Sequence, residues 1–189
     1  TQKDIDHHKS GVRNNMNTGQ SRYSDDDNLN TLMTSVVGDL KDYGDRLNSQ
    51  LSKLSDIGIA LSGVTDLTVL LEMIVEQARE FTNADAGTLY LKEDNKLHFK
   101  IVQNNSLGIK MGGTSGKDIP FPPVELKESN VSAYVAIKGK SVNIPDVYQT
   151  ELFDFTGPKN FDKTSGYRSK SMLVVPMRNH ENDVIGVLQ

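Results

Sequence analysis

The chain has 189 residues, a net charge of −4 from 21 basic and 25 acidic side chains, and no cysteine. Disulfides, thiolate catalysis and cysteine-ligated zinc or iron–sulfur centres are therefore excluded, and the lack of a dense Lys/Arg tract argues against a nucleic-acid footprint, which needs clustered positive charge. No apolar run approaches the roughly 18 residues of a spanning helix, and residues 1–27 lack the apolar core of a secretion signal, so the expectation is a cytoplasmic chain with no membrane segment in this stretch.

Residues 1–27 are rich in Asn, Asp, Ser, Lys and His. They have almost no periodic apolar positions with which to offset the entropy of ordering, and they read as a disordered polar tail. The adjacent His7 and His8 lack carboxylate or cysteine partners and make a poor metal site, so no metal ligands are expected.

From residue 28 to 62 the pattern changes. Leu29, Met33, Val36, Leu40, Tyr43 and Leu47 recur at alternating steps of four and three, and Leu51, Leu54 and Leu61 continue the stripe after a phase slip. This is the seam of a coiled coil, and it predicts a homodimer through residues 28–61. The alternative is a helix folded back on its own domain. Asp25, Asp26 and Asp27 supply capping carboxylates at its start.

A second helix is expected over Thr65 to Thr82, capped by Thr65 or Asp66, with Leu67, Leu70, Leu71, Ile74, Val75, Ala78 and Phe81 on its apolar face. Ala84 to Leu91 and Leu97 to Val102 alternate as the two strands of a hairpin, with Leu97, Phe99 and Ile101 on one face and His98 and Lys100 on the other, solvated face. Gln103 to Pro123 reads as loop. Its Gly112 to Lys117 stretch is not a phosphate-binding loop, because Lys117 is followed by Asp118 rather than by Ser or Thr. Val124 to Leu126 is a short strand. Asn130 caps a helix that runs to Lys138 and closes at Gly139, and Ser141 to Ile144 is a strand stopped by Pro145. Val147 to Lys163 is an aromatic-rich loop, a lid over the core or a pocket wall. Ser171 to Met177 and Asp183 to Leu188 are two buried strands joined by a polar hinge, with Pro176 placed near a strand end or a bulge.

Assembled, these elements make an α+β domain over residues 63–189. An antiparallel sheet of about six strands is flanked by helices and preceded by the long helix, with a compartment between one sheet face and the stretch from Asn130 to Ser169. No nucleophile–base pair, nucleotide fingerprint or metal motif stands out, and Asp146, Asp154 and Asp162 are not marked as an acid/base couple. No enzyme site is expected in these residues; a mostly apolar binding pocket with a few convergent polar groups is.

Three segments in order, Val131 to Lys138 (VSAYVAIK), Val142 to Val147 (VNIPDV) and Ser165 to Gln189 with its GYRSKS and VVPM, resemble GAF domains. The likeness is to the regulatory GAF domains of cyclic-nucleotide phosphodiesterases and of bacterial signalling proteins linked to HD-GYP or cyclase domains. It implies a sensory module whose last strand is cut off at Gln189 and whose effector domain lies beyond. It also implies a small-molecule ligand, a cyclic nucleotide (cAMP or cGMP) or a similar heterocycle, held by Val131 and Ser132 at the pocket helix, by Asp162, Ser165 and Ser169, and by Gln189; Arg168 and Lys170 would add charge if they point inward. The alternative is a ligand-free dimerisation or scaffold domain. Where cyclic-nucleotide-binding relatives commonly have Gly-Ile-Ala-Gly, this chain has Asn130-Val131-Ser132-Ala133.

Overall fold

The computed structural model describes residues 25–189. The polar tail expected over residues 1–27, with His7 and His8, thus lies outside the described residues except for Asp25, Asp26 and Asp27, which open the first helix. The described residues divide after Ser55 into two compact units. The first carries most of helix α1 (Asp27–Ser62), 36 residues long. Asp26 Oδ1 accepts from the N–H groups of Asn28 and Leu29 at 2.9 and 3.2 Å, satisfying amides that a helix start leaves unpaired. Gly38 and Gly44 do not interrupt α1, and it buries none of its residues: Leu40 is 64% and Tyr43 61% exposed.

The second unit takes in the last residues of α1 and then α2 (Leu67–Thr82), whose cap Asp66 accepts from Thr68 and Val69, and which ends at Asn83 in the left-handed region. There follow β1 (Ala86–Glu93), β2 (Lys96–Asn104), β3 (Ile109–Gly112), a 3-10 turn at Gly113–Ser115, β4 (Val124–Glu125), α3 (Val131–Lys138), β5 (Val142–Ile144), α4 (Thr156–Ser165), β6 (Met172–Arg178) and β7 (Val184–Leu188). The sheet has seven antiparallel strands in the order β3-β2-β1-β7-β6-β5, with β4 paired to β2. Gln189 extends the β1 pairing past β7 through two backbone bonds with Thr88, at 2.8 and 2.9 Å. The α+β class is as expected, with one strand more than the sequence suggested.

Each face of the sheet has its own core. Leu71 and Val75 of α2 pack with Leu89 and Ile101 on one face, while Tyr90, Leu97, Val131, Val135, Val174 and Val187 form the core beneath α3 on the other. The expectation that Leu97, Phe99 and Ile101 share a face is corrected here. Leu89 pairs with Ile101 and Tyr90 with Phe99, so Lys100 is an extra residue in the ladder and the side chains after it change sides. Leu97 and Phe99 therefore serve the α3 core and Ile101 the α2 core. His98 is half-buried rather than solvated. Pro176 lies beyond the three residues of β6 that pair with β5 and directly before the bulge at Met177/Arg178, where a missing donor leaves no ladder position empty on the β5 side.

Two elements fall where loops were expected. β3 folds back on β2 through a turn closed at Gly108, φ +63°, and its end is fastened to α2 because Glu72 Oε2 accepts from the N–H and the hydroxyl of Thr114 at 2.9 and 2.6 Å. The Gly-rich stretch is therefore a clasp. α4 replaces part of the aromatic loop. Asp154 Oδ1 accepts from Thr156 N at 2.9 Å, and Pro158 sits in the first turn, where a missing N–H costs nothing.

Candidate ligand pocket

Between α3, α4 and the sheet face opposite α2 lies a cavity of about 390 Å³, within the range of small-molecule sites. Its wall is a run of rings from four elements of the chain. Tyr90 and Phe99 have centroids 4.6 Å apart, Phe99 and Phe121 5.3 Å, and Phe121 and Phe161 6.5 Å. These tilted and edge-on arrangements leave aromatic surface facing the space.

The polar groups come from the start of α3 and the end of β7. Asn130 caps α3 by accepting from Ala133 N at 3.0 Å, which fixes the backbone on which Val131 and Ser132 enter the cavity lining. Ser132 Oγ donates to Gln189 Oε1 at 2.8 Å across 57 positions of sequence. Beside it lies Tyr90, whose hydroxyl is held far above its ordinary pKa by burial and is therefore neutral. At the other side of the cavity lie Asn104 and Tyr167; burial, and then the nearby Asp85, push the Tyr167 pKa up. Asp85 is held below its usual range, chiefly by the Ser106 hydroxyl at 2.9 Å.

Of the six residues expected to hold a ligand, Val131, Ser132, Ser169 and Gln189 line the cavity and Asp162 and Ser165 do not. Asp162 is only 4% exposed, and its two oxygens are taken up by the Tyr148 hydroxyl at 2.9 Å and by the N–H and hydroxyl of Ser169 at 2.8 and 2.9 Å. It braces the loop that carries Ser169. Ser165 donates to Phe161 O at 2.7 Å, one turn back in α4. Arg168 and Lys170 line a second cavity, of about 470 Å³, beside the end of α2. Arg168 is engaged there: it donates to Ser169 O at 2.6 Å, pairs with Asp146 at 3.4 Å and lies 4.0 Å from the centre of the Tyr148 ring.

Sequence reading missed Tyr90, Phe99, Phe121, Asn104 and Tyr167 as lining residues. The position of Tyr90 between two leucines that face α2 was an available signal; Asn104 and Phe121 lie in a stretch read as loop and carry none. Among the described residues, no group of three His, Asp or Glu side chains could hold a metal ion, and no helix is long and apolar enough to cross a membrane.

Comparison with known proteins fits this architecture. Residues 66–189 match the profile of the GAF domain. The chain belongs to the GAF domain family. Its relatives include the dual 3',5'-cyclic-AMP and -GMP phosphodiesterase 11A of Takifugu rubripes, 32% identical over 132 residues, which are 68% of this chain and 14% of that protein. This GAF chain thus spans a small part of that relative's length. Among solved structures, the GAF domain of a phosphoenolpyruvate-protein phosphotransferase from Coxiella burnetii superposes with a TM-score of 0.56 at 16% identity, and that of the corresponding Acinetobacter protein with 0.54 at 18%. Each match covers 74% of both chains. At those identities the shared property is the fold.

Proposed function

We propose that this GAF domain is a regulatory sensor that takes a small heterocyclic ligand into the 390 Å³ cavity and controls an attached output domain. The observation that carries this reading is the pairing of an aromatic wall with a convergent set of neutral polar groups, Ser132, Gln189 and Tyr90, on one side of one cavity. Cyclic nucleotides are the first candidates, because a relative is a phosphodiesterase of cyclic AMP and cyclic GMP. The output domain is, on the same ground, a phosphodiesterase, or by the bacterial resemblance a cyclic di-GMP phosphodiesterase or a cyclase, in a cytoplasmic protein. The module itself is regulatory rather than catalytic. The exposed stripe of α1 supports a parallel homodimer as the transmitting element, since a single apolar stripe on a long helix must be buried against something. Ligand binding biases such a pair only if it favours one of its arrangements.

A second reading has its own support. Ser132 already bonds Gln189, and Asp162 already satisfies Ser169, so the polar set is internally paired without a ligand, as a scaffold domain requires. Native mass spectrometry of the purified chain and a thermal-shift screen separate the two. A co-purified small mass, or a rise in midpoint equivalent to about 2.7 kcal/mol at a hundredfold excess over Kd, supports the sensor; neither, in a dimeric protein, supports the scaffold.

A further inference from the structure

Resting on that sensor reading, we propose that residues 112–123 are a stiff strap that ties the cavity wall to α2 on the other face of the sheet. Glu72 and Thr114, at one end of it, are positioning residues for the Phe121 ring at the other.

The two ends are anchored on opposite faces. At the first, Glu72 of α2 accepts from the N–H and the hydroxyl of Thr114 at 2.9 and 2.6 Å. Gly113 beside it, at φ +58°, has no room for a side chain: a Cβ would come 2.8 Å from the same carboxylate oxygen and 3.0 Å from the Ile101 side chain. The turn is thus pressed directly onto α2. At the second end Phe121 and Pro122 line the cavity, and the Phe121 ring stands between Phe99 of β2 and Phe161 of α4. The chain passes between these ends along the edge of β2, where β3 pairs with residues 101–104, β4 pairs with Lys96 and Leu97, and residues 98–100 pair with neither.

Little slack lies between the anchors. The turn is closed on itself, because Gly112 N donates to Lys117 O at 2.9 Å and Ser115 Oγ donates to Gly112 O at 2.6 Å. One residue later comes Ile119-Pro120-Phe121-Pro122-Pro123, in which every residue is a proline or directly precedes one. Proline fixes its own φ and restricts the residue before it, so this segment behaves as a semi-rigid spacer. Its far end is pinned where Val124 pairs with Leu97. A strap held at β4 and stiff along its length moves as one piece, so displacing the Phe121 ring and loosening Thr114 from Glu72 are a single motion.

A ring seated against Phe121 therefore stabilises the clasp, and by reciprocity the clasp favours the seated ring. The helix that feels this is α2, which follows α1 after residues 63–66.

The full chain contains no tryptophan, so Phe121→Trp places a single reporter in the cavity wall. In that background Glu72→Ala is expected to move the emission to the red and to increase quenching by acrylamide. Lys110→Met removes the Lys110–Glu76 pair, 2.8 Å long, which joins β3 to α2 outside the strap, and should leave the emission in place. In the opposite direction, Phe121→Ala should speed hydrogen exchange of the Thr114 amide by roughly tenfold or more. Emission unmoved by Glu72→Ala, Thr114 exchange unmoved by Phe121→Ala, or an equal shift with Lys110→Met each overturns the strap. The two measurements rest on separate substitutions, so a variant that does not fold leaves the other to decide. Neither uses a ligand: the strap can fail while the sensor reading stands, and a ligand screen without a hit leaves the strap in place.

Discussion

Replacing Asp162 with Ala distinguishes a brace from a ligand contact. In the wild type its buried carboxylate accepts three hydrogen bonds, two from Ser169 and one from Tyr148. Hydrogen bonds to a charged group are each worth about 1.5–3 kcal/mol, but the hydroxyls of Tyr148 and Ser169 can turn to water once the carboxylate is gone. The cost that cannot be recovered is the Ser169 N–H left without an acceptor and the loss of the tie between α4 and the strand entering β6. Part of it is offset, because a carboxylate no longer has to be desolvated. The net loss works out at about 2 kcal/mol. For a domain of this size that lowers Tm by roughly 6–8 °C. Urea denaturation of wild type, Asp162→Ala and Tyr148→Phe measures it, with the single-bond variant expected to lose less. Ligand affinity should fall together with stability, since Ser169 is released. If Asp162→Ala is within about 0.5 kcal/mol of wild type, or if it loses affinity while keeping full stability, the brace is refuted and Asp162 contacts the ligand directly.

Three further outcomes follow from the geometry. Gly186→Ala places a Cβ against the backbone carbonyl of Tyr90 in the neighbouring strand; backbone cannot turn aside, so a loss of about 2 kcal/mol or more is expected in the same denaturation assay. The Glu72 carboxyl is held below its ordinary range, first by the Thr114 hydroxyl. A depressed folded pKa means that the unfolded chain takes up the proton first, so the clasp stabilises at neutral pH and is lost as pH falls through and below the ordinary carboxylate range. Glu72→Gln should flatten that part of the stability–pH curve, and an unchanged acid limb would show that the clasp contributes nothing. Leu40→Asp on α1 should give a folded monomer in sedimentation, and a surviving dimer would move the interface off this stripe.

The sequence by itself determined the elements whose cause is local. Asn130 was readable as a cap, Asp66 as one of two cap candidates beside Thr65, and Gly139 as a stop, because those side chains and that glycine act within three or four residues of where they stand. The apolar face of α2 was readable from its spacing, and the closing strands from their length and the polar hinge between them. Val131, Ser132, Ser169 and Gln189 were placed at the cavity by resemblance. Only the tertiary structure decided the rest. The extra residue at Lys100 shifts Ile101 to the opposite face from Phe99, and nothing in an alternating stretch announces a bulge, since the defect exists only relative to the partner strand. β3 and α4 are short and polar, and they hold because Glu72 clasps the end of one and Asp154 the start of the other. The hydrogen bonds of Asp162 depend on the fold in the same way: its partners, Tyr148 and Ser169, are brought to it from other parts of the chain. Local chemistry fixes where helices and strands begin and end, whereas a cavity is defined by what meets across it, as Ser132 meets Gln189, and only the folded chain brings those groups together.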